Sequence, residues 1–392
     1  MRRIRVAFFA EMLTEGFDGA VRTMFQLINR IDNTRFEYLF IYGVGPDQIA
    51  GFESVKVPSV ALPINTNYSM ALPVLAQTRL KRTLQNFCAD VVHIATPSLL
   101  GNFGLNYALQ NRLPIITIYH THFLSYIDYY FKRTPFLING IRNRMTENHK
   151  AFYNRCDKIY VPADTIRDEL MEIGIDQHRM KMWRRGVDIS LFNPEKRDNS
   201  FMRNLTGNNK PTILFASRLV WEKNLDMLFA VYDELKANEM PVNFLIAGDG
   251  TARQACEERM TNAIFTGNVN HAQLSVLYAS ADVFLFPSIS ETYGNVVLEA
   301  MVSGLPCVIA DGGGSKDFIE QGLNGFKCDP YNAADYVKKI KLILADELLR
   351  NQFVHEGLKY RTQLSWDELA RQYFDDVRQL ALRQPEQLLA VS

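Results

Sequence analysis

The feature that most restricts the fold of this chain is its alternation of short β-branched or aromatic runs with longer stretches of helical periodicity. The runs RVAFF, YLFIY, VVHIA, IITIYH, KIYVP and KMWRRGV occupy the first half, and TILFAS, NFLIAG, AIFTG, VFLFP, PCVIA and GFKCD the second. Alternation of this kind builds parallel sheets from βαβ units, and near-continuous apolar runs suit strands buried on both faces. Single cores stop growing beyond about 250–300 residues, so 392 residues with two sets of strands predict two doubly wound α/β domains. The expected division is an N-terminal domain over 1–190, a polar, Asn-rich linker over 191–210, a second domain over 211–365, and a helix in 366–392 that packs back towards the first domain. Open parallel sheets bind ligands beyond the carboxyl ends of their strands. The two sheets are therefore expected to face each other across an interdomain cleft, with functional residues just after strands.

Charge and cysteine usage exclude several classes. Forty-three basic residues balance 43 acidic ones, so no net field favours nucleic acid as a partner. Cys88, Cys156, Cys256, Cys307 and Cys328 are scattered and form no CxxC pair, which predicts reduced thiols and no zinc site. The first apolar run is broken by Glu11, too short for a signal-peptide core, and no uncharged apolar run approaches the roughly 18 residues of a membrane span. A cytoplasmic location is expected, with peripheral contact at the inner membrane face as an extension of it.

Four stretches that follow predicted strands carry the chemistry. In SRLVWEKN, Arg218 and Lys223 form a pair of cations suited to a diphosphate, Arg through bidentate contact and Lys as a point charge; isolated, the same spacing is ordinary for solvated surface cations. In FPSISETYGNVVLEAMVSGLP, a strand runs through a turn into a helix. The amides from Thr292 and Tyr293 through Gly294, Asn295 and Val296 are expected at the helix N-terminus, an anion site, bracketed by Glu291 in the loop and Glu299 in the helix. In EMLTEGFDGAVRTM, Gly16 and Gly19 allow close backbone approach to a ligand, and the absence of GxGxxG argues against a dinucleotide site. In ITIYHTHFLSY, His120 ends a buried strand and is a polar cleft residue, while His122 is read as structural or acceptor-facing. No accompanying acid or cysteine has metal-ligand spacing, and the chain lacks Asp-x-Asp, so no metal site is expected.

With these residues in place, the chain resembles the GT-B, retaining glycosyltransferases of family 4. The resemblance rests on the FPSxxETYGNVxLEAMxSGLPxV setting of Glu291 and Glu299, joined in order by SRL…EKN, AGDG at 247–250, TGNV at 266–269 and RGVDxxxFNP at 185–194, and it spans nearly the whole chain. DGAVRT, YHTHFxxY, VPAD at 161–164 and WRRGVD at 183–188 place it nearest the lipid-directed mannosyltransferases and sulfolipid synthases. The resemblance implies that Arg218 and Lys223 neutralise the diphosphate of a GDP- or UDP-linked sugar, that Glu299 holds the ribose and that Glu291 meets hydroxyls of the transferred hexose. It also implies that Gly294, Asn295 and Val296 contact the distal phosphate, that Asn268 and Val269 line the base pocket, that Gly19 approaches the diphosphate, and that His120 lies near the sugar on the acceptor side. No cofactor other than the sugar nucleotide is implied.

Beyond His122, Tyr126, Tyr129, Tyr130, Phe131 and Phe136 interleave with Lys132, Arg133, Arg142, Arg144 and Lys150. Over 123–150 this pattern fits either the headgroup layer of an anionic membrane or a helix with aromatics inside and charges in water. Two other readings share the architecture: a non-catalytic sugar-nucleotide-binding protein, and an epimerase or phosphorylase. Retention of all four charged residues favours the transferase.

Overall fold

The structure is a computed structural model and describes residues 2–15, 17, 19–61, 69–120 and 135–382. Gly16, His122 and the segment with Tyr126, Tyr129, Tyr130, Phe131, Lys132 and Arg133 lie outside the described residues. The chain divides into two compact units, one of residues 1–184 with 366–392 and one of residues 185–365.

The first unit is built on β1 (Ile4–Met12), β2 (Phe36–Val44), β3 (Glu53–Lys56), β4 (Ser59–Ala61), β5 (Ser69–Ala71), β6 (Val91–Ile94), β7 (Ile115–Ile118), β8 (Lys158–Val161) and β9 (Met180–Met182). Seven of these form a parallel sheet in the order β3-β2-β1-β6-β7-β8-β9, and β4 and β5 pair as a small antiparallel ribbon. The central strand β1 is buried on both faces. Val6, Phe8, Ala10 and Met12 join a core cluster with Tyr373, Phe374, Val377 and Leu380 of the helix Trp366–Leu382. On the other face, Phe9 lies under Gly104 of the helix Leu99–Gln110, where an added Cβ would come within 2.9 Å of the ring.

The helix Trp366–Leu382 belongs to the first unit although 181 residues of the second precede it. The indole of Trp183 donates to the Leu369 carbonyl at 3.0 Å and stacks on Tyr160 with centroids 5.2 Å apart. Beside it, Asp376 receives Lys158 and Lys181 at 2.7 and 2.6 Å and the hydroxyl of Tyr160.

Under the same helix, His93 is fully buried, stacks on Phe8 and lies 2.8 Å from the Tyr373 hydroxyl through Nδ1. Burial drives its pKa down to about 3, so the ring stays neutral in the fold. The unfolded chain takes up a proton below about pH 6.5, whereas the native state resists doing so until about pH 3. This group therefore erodes stability progressively as pH falls through that window. His93→Gln, which keeps a polar contact for Tyr373 without a titrating ring, is expected to flatten the acid limb of the stability profile. Urea unfolding at several pH values between 7 and 4 checks this, and parallel slopes for the two proteins would refute it.

The second unit carries β10 (Thr212–Ala216), β11 (Asn243–Ala247), β12 (Ile264–Gly267), β13 (Val283–Phe286), β14 (Cys307–Ala310) and β15 (Gly325–Cys328), all parallel, in the order β12-β11-β10-β13-β14-β15. Every residue of β10, β11, β13 and β14 is buried, which is why these strands read as unbroken apolar runs.

Two boundaries differ from the reading of the sequence. Residues expected as a linker over 191–210 are folded onto the second unit, which begins at Arg185. Phe192 packs edge-on to His271 and Tyr278, the Asp198 amide donates to Ser280 Oγ at 2.8 Å, and the Asp198 carboxylate caps the helix Asn199–Thr206 through the Phe201 amide. The polar composition marks capping and turn residues there rather than a free connector. Of the stretch KMWRRGV only Lys181 and Met182 lie in a strand, β9; the Trp183 amide donates to the Val161 carbonyl and its ring enters the core, after which the chain leaves the sheet edge.

Candidate active site

In the second sheet the chain proceeds from β10 to β11 and β12 on one side and returns to β13 on the other. That reversal opens a crevice at the carboxyl ends of β10 and β13, the ligand-binding position of doubly wound sheets. Both loops that flank it carry the charged residues picked out above.

The loop after β10 holds Arg218 and then a 3-10 turn, Trp221–Lys223, ended by Asn224 in the left-handed region at φ 56°. Asparagine tolerates that conformation, and here its side-chain amide donates to the carbonyls of Pro287 and Pro330 at 3.1 and 3.2 Å, tying the loop to its neighbours. Across the crevice, Ser290 Oγ donates to the Glu222 carbonyl at 2.6 Å. These bonds hold the two loops in register.

Lys223 is ion-paired with Glu291 over the crevice, with side chains 6% and 19% exposed. Arg218 Nη2 lies 4.0 Å from the carboxylate of Glu222, which is 3% exposed. Glu222 was not singled out in the sequence; an acid one residue before the lysine reads as solvated unless the tertiary fold buries it.

The loop after β13 leads into the helix Asn295–Val302, entered through Gly294 at φ 83°. A side chain at Gly294 is excluded twice, by that backbone conformation and because a Cβ would lie 2.4 Å from that of Ser315. The first intrahelical donor is Val297, bonded to the Gly294 carbonyl at 2.9 Å, so the amides of Asn295 and Val296 have no intrahelical acceptor and form the half-buried start of the helix dipole. Glu299 follows on the same helix and is buried, at 6% exposure.

Beneath this turn lies a second element that sequence reading passed over, the glycine run after β14. The Gly314 amide donates to the Glu291 carbonyl at 2.6 Å. At Gly313, φ 60°, a Cβ would come within 2.7 Å of the Ile289 carbonyl oxygen and 2.9 Å of that of Glu291. Three consecutive glycines in ADGGGS were the available signal, since such a run marks close backbone approach.

Other expected site residues are distributed as follows. Thr292 and Tyr293 are buried, and the Tyr293 ring turns into the unit, its hydroxyl donating to the Arg185 carbonyl at 2.7 Å and its edge meeting Phe318. The expectation for Tyr293 concerned its backbone amide, and the inward course of the ring leaves that expectation untouched. Asn268 and Val269 follow the edge strand β12, the former exposed and the latter half-buried. In the first unit, Gly19 opens the helix Gly19–Ile28 after β1, and His120 is buried just past the end of β7. No group of three His, Cys, Asp or Glu side chains among the described residues is placed to hold a metal ion.

Comparison with known proteins bears on the family and the fold. The profile of Glycosyl transferases group 1 matches residues 196–360, and that of Glycosyltransferase Family 4 matches residues 17–191. A GDP-mannose-dependent alpha-mannosyltransferase from Mycolicibacterium smegmatis is 30% identical over 83% of this chain and 86% of its own. Sulfoquinovosyl transferase SQD2 from Arabidopsis thaliana is 30% identical over 88% of this chain and 68% of its own. Among solved structures, sucrose-phosphate synthase from Thermosynechococcus elongatus superposes with a TM-score of 0.75 at 19% identity, covering 96% of this chain and 99% of its own.

Proposed function

The chain belongs to the group 1, family 4 glycosyltransferases of GT-B fold, and from that premise we propose that it is a retaining, metal-independent mannosyltransferase using GDP-mannose and a lipid hydroxyl. That it transfers a sugar to a lipid or glycan acceptor follows from the family; donor, acceptor and stereochemistry are the proposal. The observation that carries it is the meeting of Arg218, Lys223, Glu291 and an open helix N-terminus at one switch-point crevice.

When a glycosidic phosphate bond breaks, negative charge grows on the departing diphosphate and positive charge on the sugar ring. Arg218 and the amides of Asn295 and Val296 line the crevice before substrate arrives and stabilise the diphosphate charge as it grows, and Lys223 joins them once it exchanges the Glu291 carboxylate for phosphate. Glu299 takes the ribose hydroxyls and Glu291 the hexose hydroxyls. Attack on the face the diphosphate leaves, with a phosphate oxygen accepting the acceptor proton, retains the anomeric configuration. Glu291 is then a sugar-binding group, not a covalent nucleophile of the kind used by retaining glycosidases.

Mannose is favoured by the GDP-mannose dependence of the mycobacterial relative. A lipid acceptor is favoured by surface chemistry in the first unit. Val74 and Leu75 are 72% and 66% exposed immediately before the helix Gln77–Phe87, which exposes Arg79, Lys81 and Arg82 and contains no acid. Exposed Arg142, Arg144 and Lys150 on the helix Pro135–Tyr153 add further positive charge. Apolar side chains beside cations suit an anionic lipid surface.

The test is transfer of labelled mannose from GDP-mannose, with UDP-glucose as the competing donor, to diacylglycerol lipids in phosphatidylglycerol vesicles containing EDTA. An α-linked mannolipid formed at undiminished rate in EDTA is the expected product. A β-linked product, dependence on added divalent metal, or exclusive use of UDP-glucose each overturns the corresponding part of the proposal.

A further inference from the structure

Without substrate, each of the two cations assigned to the diphosphate already faces an acid: Arg218 faces Glu222 and Lys223 is paired with Glu291. The four groups sum to no net charge, so an arriving diphosphate finds excess positive charge only if one acid withdraws. The backbone carbonyls of both acids are bonded, to Ser290 Oγ and to the Gly314 amide, so side-chain burial decides, and Glu222 at 3% exposure is held. Glu291 is the partner able to leave, since it lies outside helix and strand in the β13 loop and its side chain is more exposed than that of Lys223.

We infer that Glu291 is an exchange residue that makes the site discriminate intact sugar nucleotide from its nucleoside diphosphate product. The inference rests on the transferase reading of this crevice. When the intact donor binds, Lys223 gives up Glu291 for the diphosphate, and Glu291 is compensated by hydroxyls of the hexose. When the bare nucleoside diphosphate binds, Lys223 still changes partner but the displaced carboxylate gains no hydroxyls. A half-buried carboxylate that loses its cation without replacement costs free energy, so the product binds less well than its phosphate contacts allow. After transfer the sugar has gone, and re-formation of the Lys223–Glu291 pair competes directly with the retained product. Glu291 thereby serves binding of the donor and departure of the product through one ion pair.

The prediction runs against the usual effect of removing a ligand-contacting residue. Calorimetric titration of GDP and GDP-mannose, with UDP and UDP-glucose alongside, into wild type and Glu291→Gln measures it. GDP is expected to bind Glu291→Gln about tenfold more tightly than wild type, corresponding to a half-buried ion pair no longer broken. GDP-mannose is expected to bind with equal or lower affinity, so that the preference for intact donor collapses. In a Lys223→Gln background the added Glu291→Gln change should no longer tighten GDP. Unchanged or weakened GDP binding in Glu291→Gln overturns the inference, as does tightening that persists without Lys223. Failure of both nucleoside diphosphates to bind wild type removes the transferase reading itself, a result distinct from either.

Discussion

Arg218→Ala is expected to lower kcat/KM for sugar transfer by about 10²–10³, the usual cost of removing one preorganised group that meets developing transition-state charge. Arg218 sits at the mouth of the β10 loop with its side chain 38% exposed, so truncation opens no core cavity. Its guanidinium is the more accessible of the two cations, whereas Lys223 is deeply set and already engaged with Glu291. Arg218→Lys should recover only part of the loss, because an ammonium restores the charge but not two parallel N–H bonds to phosphate oxygens. Initial rates with saturating acceptor, together with the melting temperature of each variant, separate catalysis from folding. Undiminished turnover in Arg218→Ala at unchanged stability rules out the proposed diphosphate site.

The parts of the molecule that could be read from sequence share a physical reason. The four inner strands of the second sheet, β10, β11, β13 and β14, are parallel and buried along their whole length, so burial alone forces apolar runs at those positions. β3, β4 and β5 were not anticipated because they are short and partly exposed: β4 is exposed along its whole length and β3 is an edge strand with Val55 its only buried residue. Edge strands carry mixed polar composition that no period distinguishes from loop. Arg218, Lys223, Glu291 and Glu299 were accessible because ligands bind after strands and each follows one. Glu222 and the glycines at 312–314 were not, because their work is to hold one loop against another, and a contact between separate loops, such as Ser290 with Glu222 or Gly314 with Glu291, leaves no spacing in the sequence. For Tyr293 the reading concerned its amide in the turn; the inward course of its ring was not legible, because the acceptor that its buried hydroxyl needs, the Arg185 carbonyl, lies 108 residues away in the sequence.

The helix that closes the first unit depends on one carboxylate, and Asp376→Ala is expected to destabilise that unit by about 3 kcal/mol, within the range for removing one partner of a buried ion pair. Asp376 is 6% exposed and accepts from Lys158 at 2.7 Å, Lys181 at 2.6 Å and Tyr160. Burial alone raises the pKa of such a carboxyl, yet the bonds from Lys158, Lys181 and Tyr160 outweigh it and hold the group below its ordinary 3.8. Alanine leaves Lys158, 19% exposed, with its ammonium against the apolar face of the helix; Lys181 is 38% exposed and can turn to water, which keeps the cost near the lower end of that range. At about 2–4 °C per kcal/mol for a unit of this size, the melting temperature should fall by roughly 6–12 °C. Because the folded pKa lies below the unfolded one, the stabilisation is fully present above about pH 4 and is lost as pH falls through the lowered folded value. The gap between wild type and Asp376→Ala should therefore be constant from pH 7 to 5 and close only in stronger acid. Asp376→Asn keeps the volume and one acceptor and should lose less. A melting temperature unchanged in Asp376→Ala, or a gap that narrows already at pH 6, shows that the apolar contacts of Tyr373, Val377 and Leu380 hold the helix without the ion pairs.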